Sequence, residues 1–566
     1  MQLLRHPWFA VCIVAVLAAM PVAAPRAQVV TPGAADSSRI NPIEKQAPLG
    51  RPAAPPRVSG EGVTPPVVAP QGAGSVHFTL RKLHLKGATV IPEQELAELY
   101  LPLIDHDVTL LQMYELAARI TNRYRAEGFL LSYAYVPDQE AAKGEFTIAI
   151  AEGYLASVNV EGDDPNAAIT SDYIERLKAE KPLTERTIES VLLRLNDLPG
   201  RSYRAVLSRD KLAPPEQASL TLVPGAKEGR GTIGFDNFSS RYLGPNEISA
   251  SYSDSFLPRQ QTSVYALTSI PIDRLNYGAI THSWVAAPDL TLEGTFSYTH
   301  SEPGYTLSPL NIDSSTQIYG FSANYQFIRQ RNVNLLAKLG GELRAVRSDV
   351  FGSTPLTRDD IRLLHGTFSF DANDPLGGSN IVNAVVTQGL DIFNATGSSS
   401  ANPSRGEEKA DFTKVELSLS HLQPLNDDWT VLLQANGQIA TGALYASEEF
   451  GVGGQSYGRA YDASEIVGDQ GAAGMIELRY TGLRTLQPVN VEPYIYIDSG
   501  FVTNFDAGQT GRESLTSAGG GLRFASIWGQ SGMVGLAFPL SRPVAAPIYG
   551  QTASSPRILA QVAQSF

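Results

Sequence analysis

Cysteine is almost absent from this sequence. Cys12 is the single one in 566 residues. It falls in an apolar stretch, residues 8–20, with Arg5 and His6 before it and small residues through Ala27 after it. That pattern is read as an export signal over residues 1–27. The mature chain then holds no thiol, which excludes disulfides and cysteine metal sites. Long apolar runs are lacking too. No run of about 18 apolar residues follows the N-terminus, so no transmembrane helix is expected. A strand-built membrane barrel escapes that test, because only every second residue of each strand must be apolar. Positive charge is also scarce. The formal net charge is −13, and loss of Arg5 and Arg26 with the signal makes the chain more acidic still. With no dense Lys/Arg stripe, no nucleic-acid partner is expected.

What is present divides into three parts. Residues 28–75 are rich in Pro, Ala and Gly, as in RPAAPPRVSGEGVTPPVVAPQGAG. Such a segment has little to bury and is read as a flexible linker, with a weak helix pattern over 36–46. Residues 76–228 show the order strand, helix, helix, strand, strand twice. The first unit has strands at 76–85, 131–136 and 145–151 and helices at 92–101 and 110–127. On the longer helix Leu110, Met113, Tyr114, Ala117, Ile120 and Tyr124 share a face. The second unit has strands at 156–161, 203–208 and 218–223 and helices at 169–179 and 184–195. A recurring unit of this size implies a tandem module.

From Gly231 the period changes to two. Over 290–300, Leu290, Leu292, Phe296 and Tyr298 alternate with Thr291, Glu293, Thr295, Ser297 and Thr299. Over 319–327, Tyr319, Phe321, Ala323, Tyr325 and Phe327 alternate with Gly320, Ser322, Asn324 and Gln326. Residues 248–256, 415–421 and 429–440 behave likewise. Segments of roughly ten such residues, separated by Gly, Pro, Asn and Asp turns, are the signature of a transmembrane barrel. A soluble sandwich also alternates. The Ser, Thr, Asn and Gln of the polar faces suit a wet lumen, however, and aromatics fall near strand ends. The last residues alternate and end in Phe566. About sixteen strands fit, and in lipid such a sheet has to close.

Four local stretches then carry a resemblance. IAEGYLASVNVEG (150–162), PLTERTIESVLLRLNDLPG (182–200), GFDNFSSRYLGPNEI (234–248) and GGQSYGRAYDASEIVGDQGAAGMIEL (453–478) resemble a two-partner-secretion outer-membrane transporter of the hemolysin type. That family lies within the BamA-like superfamily. The resemblance covers residues 76–566 and implies tandem small α/β POTRA modules followed by an all-β, 16-stranded antiparallel transmembrane barrel. It places POTRA 1 at 76–154, POTRA 2 at 155–228 and the barrel at 229–566, with a long in-folded loop at about 441–472. Where the family has Val-Arg-Gly-Tyr at the loop tip, this chain has Gly458, Arg459, Ala460 and Tyr461. The family's aromatic-x-Asp-x-Gly strand motif reads Tyr496, Ile497, Asp498, Ser499, Gly500. Parity puts Tyr494, Tyr496 and Asp498 in the lumen and Val491, Ile495 and Ile497 in lipid. The resemblance implies an Arg459–Asp498 contact, which would hold the loop inside the pore. It also implies that Phe566 is a C-terminal assembly signal. The family's N-terminal plug helix is not evident in residues 28–75.

The implied function is ATP-independent export of an unfolded secreted partner, adhesin- or hemolysin-like, captured by the POTRA modules. An outer-membrane assembly factor of the BamA type is the alternative. Outer-membrane lipid and the barrel assembly machinery are the further partners, and a monomer is expected. No enzyme, metal or cofactor is expected. Residues 454–458 match G-x-S-x-G around Ser456, but a nucleophile elbow needs a strand before it and a helix after it. His77 and His84 point to opposite faces of a strand, without zinc-ligand spacing.

Overall fold

The computed structural model describes residues 32–40, 58–59, 68–140, 144–210, 212–397, 400–483, 488–505, 511–542 and 556–566. The expected signal, residues 1–27, lies outside them. In the first module, strands His77–Leu80 and Lys82–Lys86 lead to helix α1 (Glu93–Tyr100) and strand His106–Thr109. Helix α2 (Leu110–Ala126) and strands Tyr133–Tyr135 and Glu145–Ala151 follow. Helix α2 starts at a capping box in which the Thr109 side chain takes the Gln112 N–H and Gln112 returns to the Thr109 N–H, satisfying two orphan donors. Its buried face is Met113, Leu116, Ala117, Ile120 and Tyr124. Leu116 therefore takes the core position expected of Tyr114, whose ring stays partly exposed.

The second module shows the expected order of strand, helix, helix, strand, strand, whereas the first carries the extra strand His106–Thr109 between its helices. Strand Tyr154–Val160 precedes α3 (Ala167–Ala179) and α4 (Glu185–Asp197), and strands Arg201–Ser208 and Gln217–Ala226 complete it. Its core joins Ile169, Tyr173, Leu177, Val191, Leu192 and Leu195 to Leu220 and Leu222. Leu131 of the first module is wholly buried in that same core. The two modules thus meet by shared packing. The joint is tightened by the Glu185 N–H on Gly128 O at 2.8 Å and the Leu183 N–H on Gly153 O at 2.9 Å. Gly153 is required there, since a Cβ would lie 2.4 Å from Leu131 O.

Among the described residues, sixteen antiparallel strands close into a barrel, from Arg230–Asp236 to Arg557–Ser565. The seam between first and last strands runs from Thr232↔Ser565 to Asp236↔Gln561. Closure pairs the backbone groups that lipid would leave unsatisfied. Parity follows the expectation. Tyr319, Phe321, Tyr325 and Phe327 point outward, while Ser314, Thr316 and Ser322 on the same strand are buried inside. At the periplasmic end Tyr252, Trp284, Tyr325, Phe327 and Trp429 face outward and exposed, as an interfacial girdle does. Phe566 closes the seam. Its backbone exchanges hydrogen bonds with Gly231 at 2.9 and 3.0 Å. Its ring covers Gly231, where a Cβ would lie 2.4 Å away.

Two expectations are corrected. Residues 32–40 belong to the predicted linker but form two 3₁₀ turns, Gly33–Ala35 and Ser37–Arg39. Ala34 and Ala35 are buried against Tyr242, Leu243, Leu267, Leu275 and Tyr277 inside the barrel. Small residues fit because the lumen is already crowded, and Asp36 caps the second turn through the Ser38 N–H. The lumen is also not uniformly polar. On the side of the last five strands it holds Phe450, Val452, Tyr461, Ile466, Tyr494, Tyr496 and Leu515 in one apolar cluster, because the long loop fills it.

At the junction of the modules, Glu152 accepts from the Thr89 hydroxyl, the Thr89 N–H at 2.7 Å, the Val90 N–H at 3.0 Å and the Tyr124 hydroxyl at 2.9 Å. Burial raises its carboxyl, but these bonds outweigh it and hold the group below its ordinary 4.5. A folded value below the unfolded one stabilises above the unfolded pKa and is lost as pH falls through the folded pKa. The first module is therefore expected to lose urea resistance on acidification below about pH 4.5, and Glu152→Gln is expected to flatten that dependence while lowering stability at neutral pH.

Candidate functional site

The long loop between strands Trp429–Ala440 and Gln470–Tyr480 returns into the barrel as a small hairpin, Phe450–Val452 paired with Ile466–Gly468. Its turn carries the tip residues. Gly453, Gly454 and Gly458 all have positive φ, a conformation cheap for glycine alone. At Gly458 a Cβ would also lie 2.5 Å from Leu515. The glycine at this position is therefore tied to how this tip seats.

Arg459 is buried against the barrel wall. Its Nη1 donates to Glu477 Oε2 at 2.7 Å and its Nε to Gln455 O at 3.2 Å. Its guanidinium lies over the Tyr496 ring, 4.3 Å from the centroid. The expected Arg459–Asp498 ion pair is not formed. Asp498 instead takes the backbone N–H of Arg459 at 3.4 Å and the Ser517 hydroxyl at 2.5 Å. The reason is register. Glu477 sits opposite Tyr496, and Asp498 lies one inward pair further along, opposite Met475. The guanidinium reaches past Asp498 to the wholly buried Glu477.

Glu477 is the residue that motif reasoning missed. It accepts from three guanidinium groups: Arg459, Arg479 at 2.8 Å and Arg523 at 2.8 and 3.0 Å. Arg523 in turn lies over the Tyr494 ring at 4.7 Å. The two tyrosines stack at 6.2 Å, and Gly519 and Gly521 beside them leave room: a Cβ on Gly519 would lie 2.1 Å from Leu536 O and 2.8 Å from the Tyr496 hydroxyl, and one on Gly521 2.2 Å from Val534 O and 3.0 Å from the Tyr494 hydroxyl. The signal was legible in parity. Glu477 and Arg479 are inward-facing charges two apart on the strand that follows the loop.

The other motif residues hold the hairpin. A Cβ on Gly500 would lie 2.7 Å from Val452 and 2.9 Å from Ala473, so glycine lets the hairpin reach the wall. Tyr461 is fully buried and donates to Thr516 O at 3.2 Å or Arg542 O at 3.0 Å, while its carbonyl accepts from Arg557 at 2.6 Å. Arg241 pairs with Asp462 and, at 3.2 Å, with Glu465. Ser456 sits exposed on the turn, with no helix after it.

Nearer the loop's base a second cluster gathers three separate segments. Glu449 is paired with Arg39 of the N-terminal segment at 3.6 Å and with Arg405 of the preceding long loop at 3.0 Å. Arg405 also binds Asp469 at 2.5 and 3.2 Å. Arg39 donates to the carbonyls of Ala446 and, at 2.6 Å, Glu449.

A closed sixteen-stranded barrel, tandem periplasmic-type modules and a loop seated on an inward carboxylate can be set beside known proteins. Residues 247–524 match the family described as haemolysin secretion/activation protein ShlB/FhaC/HecB, and residues 78–153 match the POTRA domain of ShlB type. The chain belongs to this haemolysin secretion/activation family. Among curated relatives of this secretion family, it is 22% identical over 495 residues to the outer membrane transporter CdiB of Dickeya dadantii, covering 82% of this chain and 83% of that protein. It is 23% identical over 485 residues to the heme/hemopexin transporter protein HuxB of Haemophilus influenzae, covering 80% and 81%. The solved structure of CdiB from Escherichia coli matches with a TM-score of 0.66 at 20% identity, covering 88% of this chain and 94% of that one. The protein is thus an outer-membrane transporter of the two-partner-secretion class, with its POTRA modules in the periplasm.

Removing the acceptor from a buried ionic cluster leaves its cations uncompensated, typically at a cost of about 3–5 kcal/mol. Glu477→Gln leaves three guanidinium groups without their shared negative charge. It is expected to loosen the loop more than Asp498→Asn, which removes the charge behind one backbone contact to the loop and one hydroxyl contact within the wall. Protease cleavage within residues 453–465 on intact cells checks the order.

Proposed function

We propose that the protein captures an extended, unfolded partner chain on its periplasmic modules and passes it through the barrel to the cell surface without ATP. The supporting observation is that the lumen is obstructed by segments of the chain that need not remain there. Residues 32–40 and the loop hairpin fill it through charge-assisted contacts and an apolar patch, whereas other stretches of the wall present hydroxyl and amide side chains such as Ser297, Thr299, Ser314, Thr316 and Gln438. Withdrawal of the plugging segments leaves a polar passage in which a peptide backbone stays solvated. Folding of the partner outside supplies the net downhill direction.

Capture uses sheet edges. An unpaired edge offers a row of backbone donors and acceptors to an extended peptide. In the second module the Arg201–Ser208 edge is not free: residues 58 and 59 pair with it in parallel, Val58 opposite Ala205 and Ser59 opposite Val206. An incoming strand has to displace those residues or add at the other edge, Tyr154–Val160. Phe566 serves in this reading as the terminal strand signal for the barrel assembly machinery, and the working unit is a monomer. Arg459, Tyr461, Tyr496, Asp498 and Gly500 form the lock between loop and wall, with Glu477 as its ionic centre.

The test is export of a large, β-rich exoprotein encoded beside this chain, in cells carrying the parent or a variant. Arg459→Ala and Asp498→Ala are expected to cut its appearance outside the cell severalfold while the barrel still inserts and shows its heat-dependent gel shift. Full export by both variants overturns the lock. Depletion of many outer-membrane proteins on deletion, with the exoprotein unaffected, overturns the transport reading in favour of an assembly factor.

A further inference from the structure

The short periplasmic turn between strands Leu275–Ala287 and Leu290–Ser301 contains Asp289. Its backbone has φ +66°, a conformation for which Asp and Asn are favoured among side-chain-bearing residues. Turn chemistry alone would leave its carboxylate in solvent. Instead the side chain is only 5% exposed. It accepts from Arg176 Nη1 at 2.8 Å, from Arg194 Nη1 and from the Tyr173 hydroxyl at 3.2 Å. Arg176 and Tyr173 stand on α3 and Arg194 on α4, so one barrel carboxylate ties down both helices of the second POTRA module. The contact is charge-assisted on both sides, which makes it strong and directional. Burial, then the charge of Asp289, push the Tyr173 hydroxyl up to about 12, so it stays a donor throughout the neutral range.

Three further contacts converge on the same joint. Arg194 also donates to Gln326 O at 3.2 Å, at the periplasmic end of the next strand. Arg329 holds Asp197 with two bonds of 2.6 and 2.9 Å. Val285 packs against the module's apolar core. On the module's other side, Leu131 is buried in that same core, and Arg209 reaches back to Leu131 O at 3.1 Å. First module, second module and barrel are therefore joined in series by buried contacts.

We propose that Asp289 is a positioning residue that fixes the second POTRA module over the pore mouth, so that the periplasmic arm works as a rigid strut presenting cargo at one place and angle. The proposal rests on the transport reading above for its purpose, but the rigidity itself is measurable without cargo. The mature chain has no cysteine once residues 1–27 are removed, which gives a clean background for paired labels. Spin labels at Lys178→Cys on α3 and Leu376→Cys on a distant periplasmic turn report the angle between module and barrel.

The expected result is one narrow distance distribution for the otherwise unaltered chain and a clearly broadened one for Asp289→Asn. Asn keeps the turn conformation and removes the charge, and the barrel's heat-dependent gel shift stays unchanged. The double variant Arg176→Ala, Arg194→Ala attacks the joint from the module side and is expected to broaden it likewise, which covers the case in which the turn variant does not insert. Asp289→Glu, retaining charge, is expected to recover part of the narrow distribution. Export of the neighbouring exoprotein should fall severalfold with Asp289→Asn. An unchanged distribution in both the Asn and the double-Ala variants overturns the clamp. A broadened distribution with undiminished export overturns its positioning role. Failure of export in the parent, with the narrow distribution intact, counts against the transport reading alone.

Discussion

A backbone in hydrocarbon has no water to turn to, and that requirement governs the rest of this molecule. Strands can satisfy it only by closing, and closure of sixteen of them creates an interior that their own side chains are too small to fill. Residues alternate between lipid and lumen along each strand, so Tyr319 and Phe321 outside imply Gly320 and Ser322 inside. The hole is therefore a geometric by-product of hydrogen bonding, and something has to occupy it. Here the occupants are the chain's own N-terminal segment and the in-folded loop.

Those occupants are held by two kinds of contact with different consequences. The apolar cluster of Phe450, Val452, Tyr461 and Ile466 gains from burial wherever water is excluded, but it is not directional. The ionic contacts fix register: Arg459 on Glu477, Arg241 on Asp462, and Glu449 between Arg39 and Arg405. Because Glu449 serves both the N-terminal segment and the preceding loop, those two segments share one acceptor, and movement of either alters the field felt by the other. The seating of the lumen contents is in that sense coupled.

Much of this was readable in the residues. Period two over 290–300 and 429–440 became strands Leu290–Ser301 and Trp429–Ala440, because a barrel wall has one lipid face and one lumen face and successive side chains of a strand point to opposite faces. The module order held in the second unit, while the first splits its opening strand and adds His106–Thr109 between its helices. The partner of Arg459 was not readable. Motif reasoning offered Asp498, but the side chain spans further than one inward pair, and register decides which carboxylate it meets. Residues 32–40 were misread for a related reason. Ala34 and Ala35 carry no amphipathic pattern of their own, and only the crowded lumen gives them something to be buried against.

The charges around Glu477 have a consequence for how the loop can leave. Glu477 and Glu492 are matched on the wall by Arg479 and Arg523, with Arg479 lying 3.7 Å from Glu492. Arg459 is the one cation of the group that belongs to the hairpin. If the hairpin withdraws, it carries its own charge away, and Glu477 and Glu492 keep Arg479 and Arg523. A socket in which Glu477 keeps two guanidinium groups and Asp498 keeps the Ser517 hydroxyl strands no wall anion without a partner when its guest is absent.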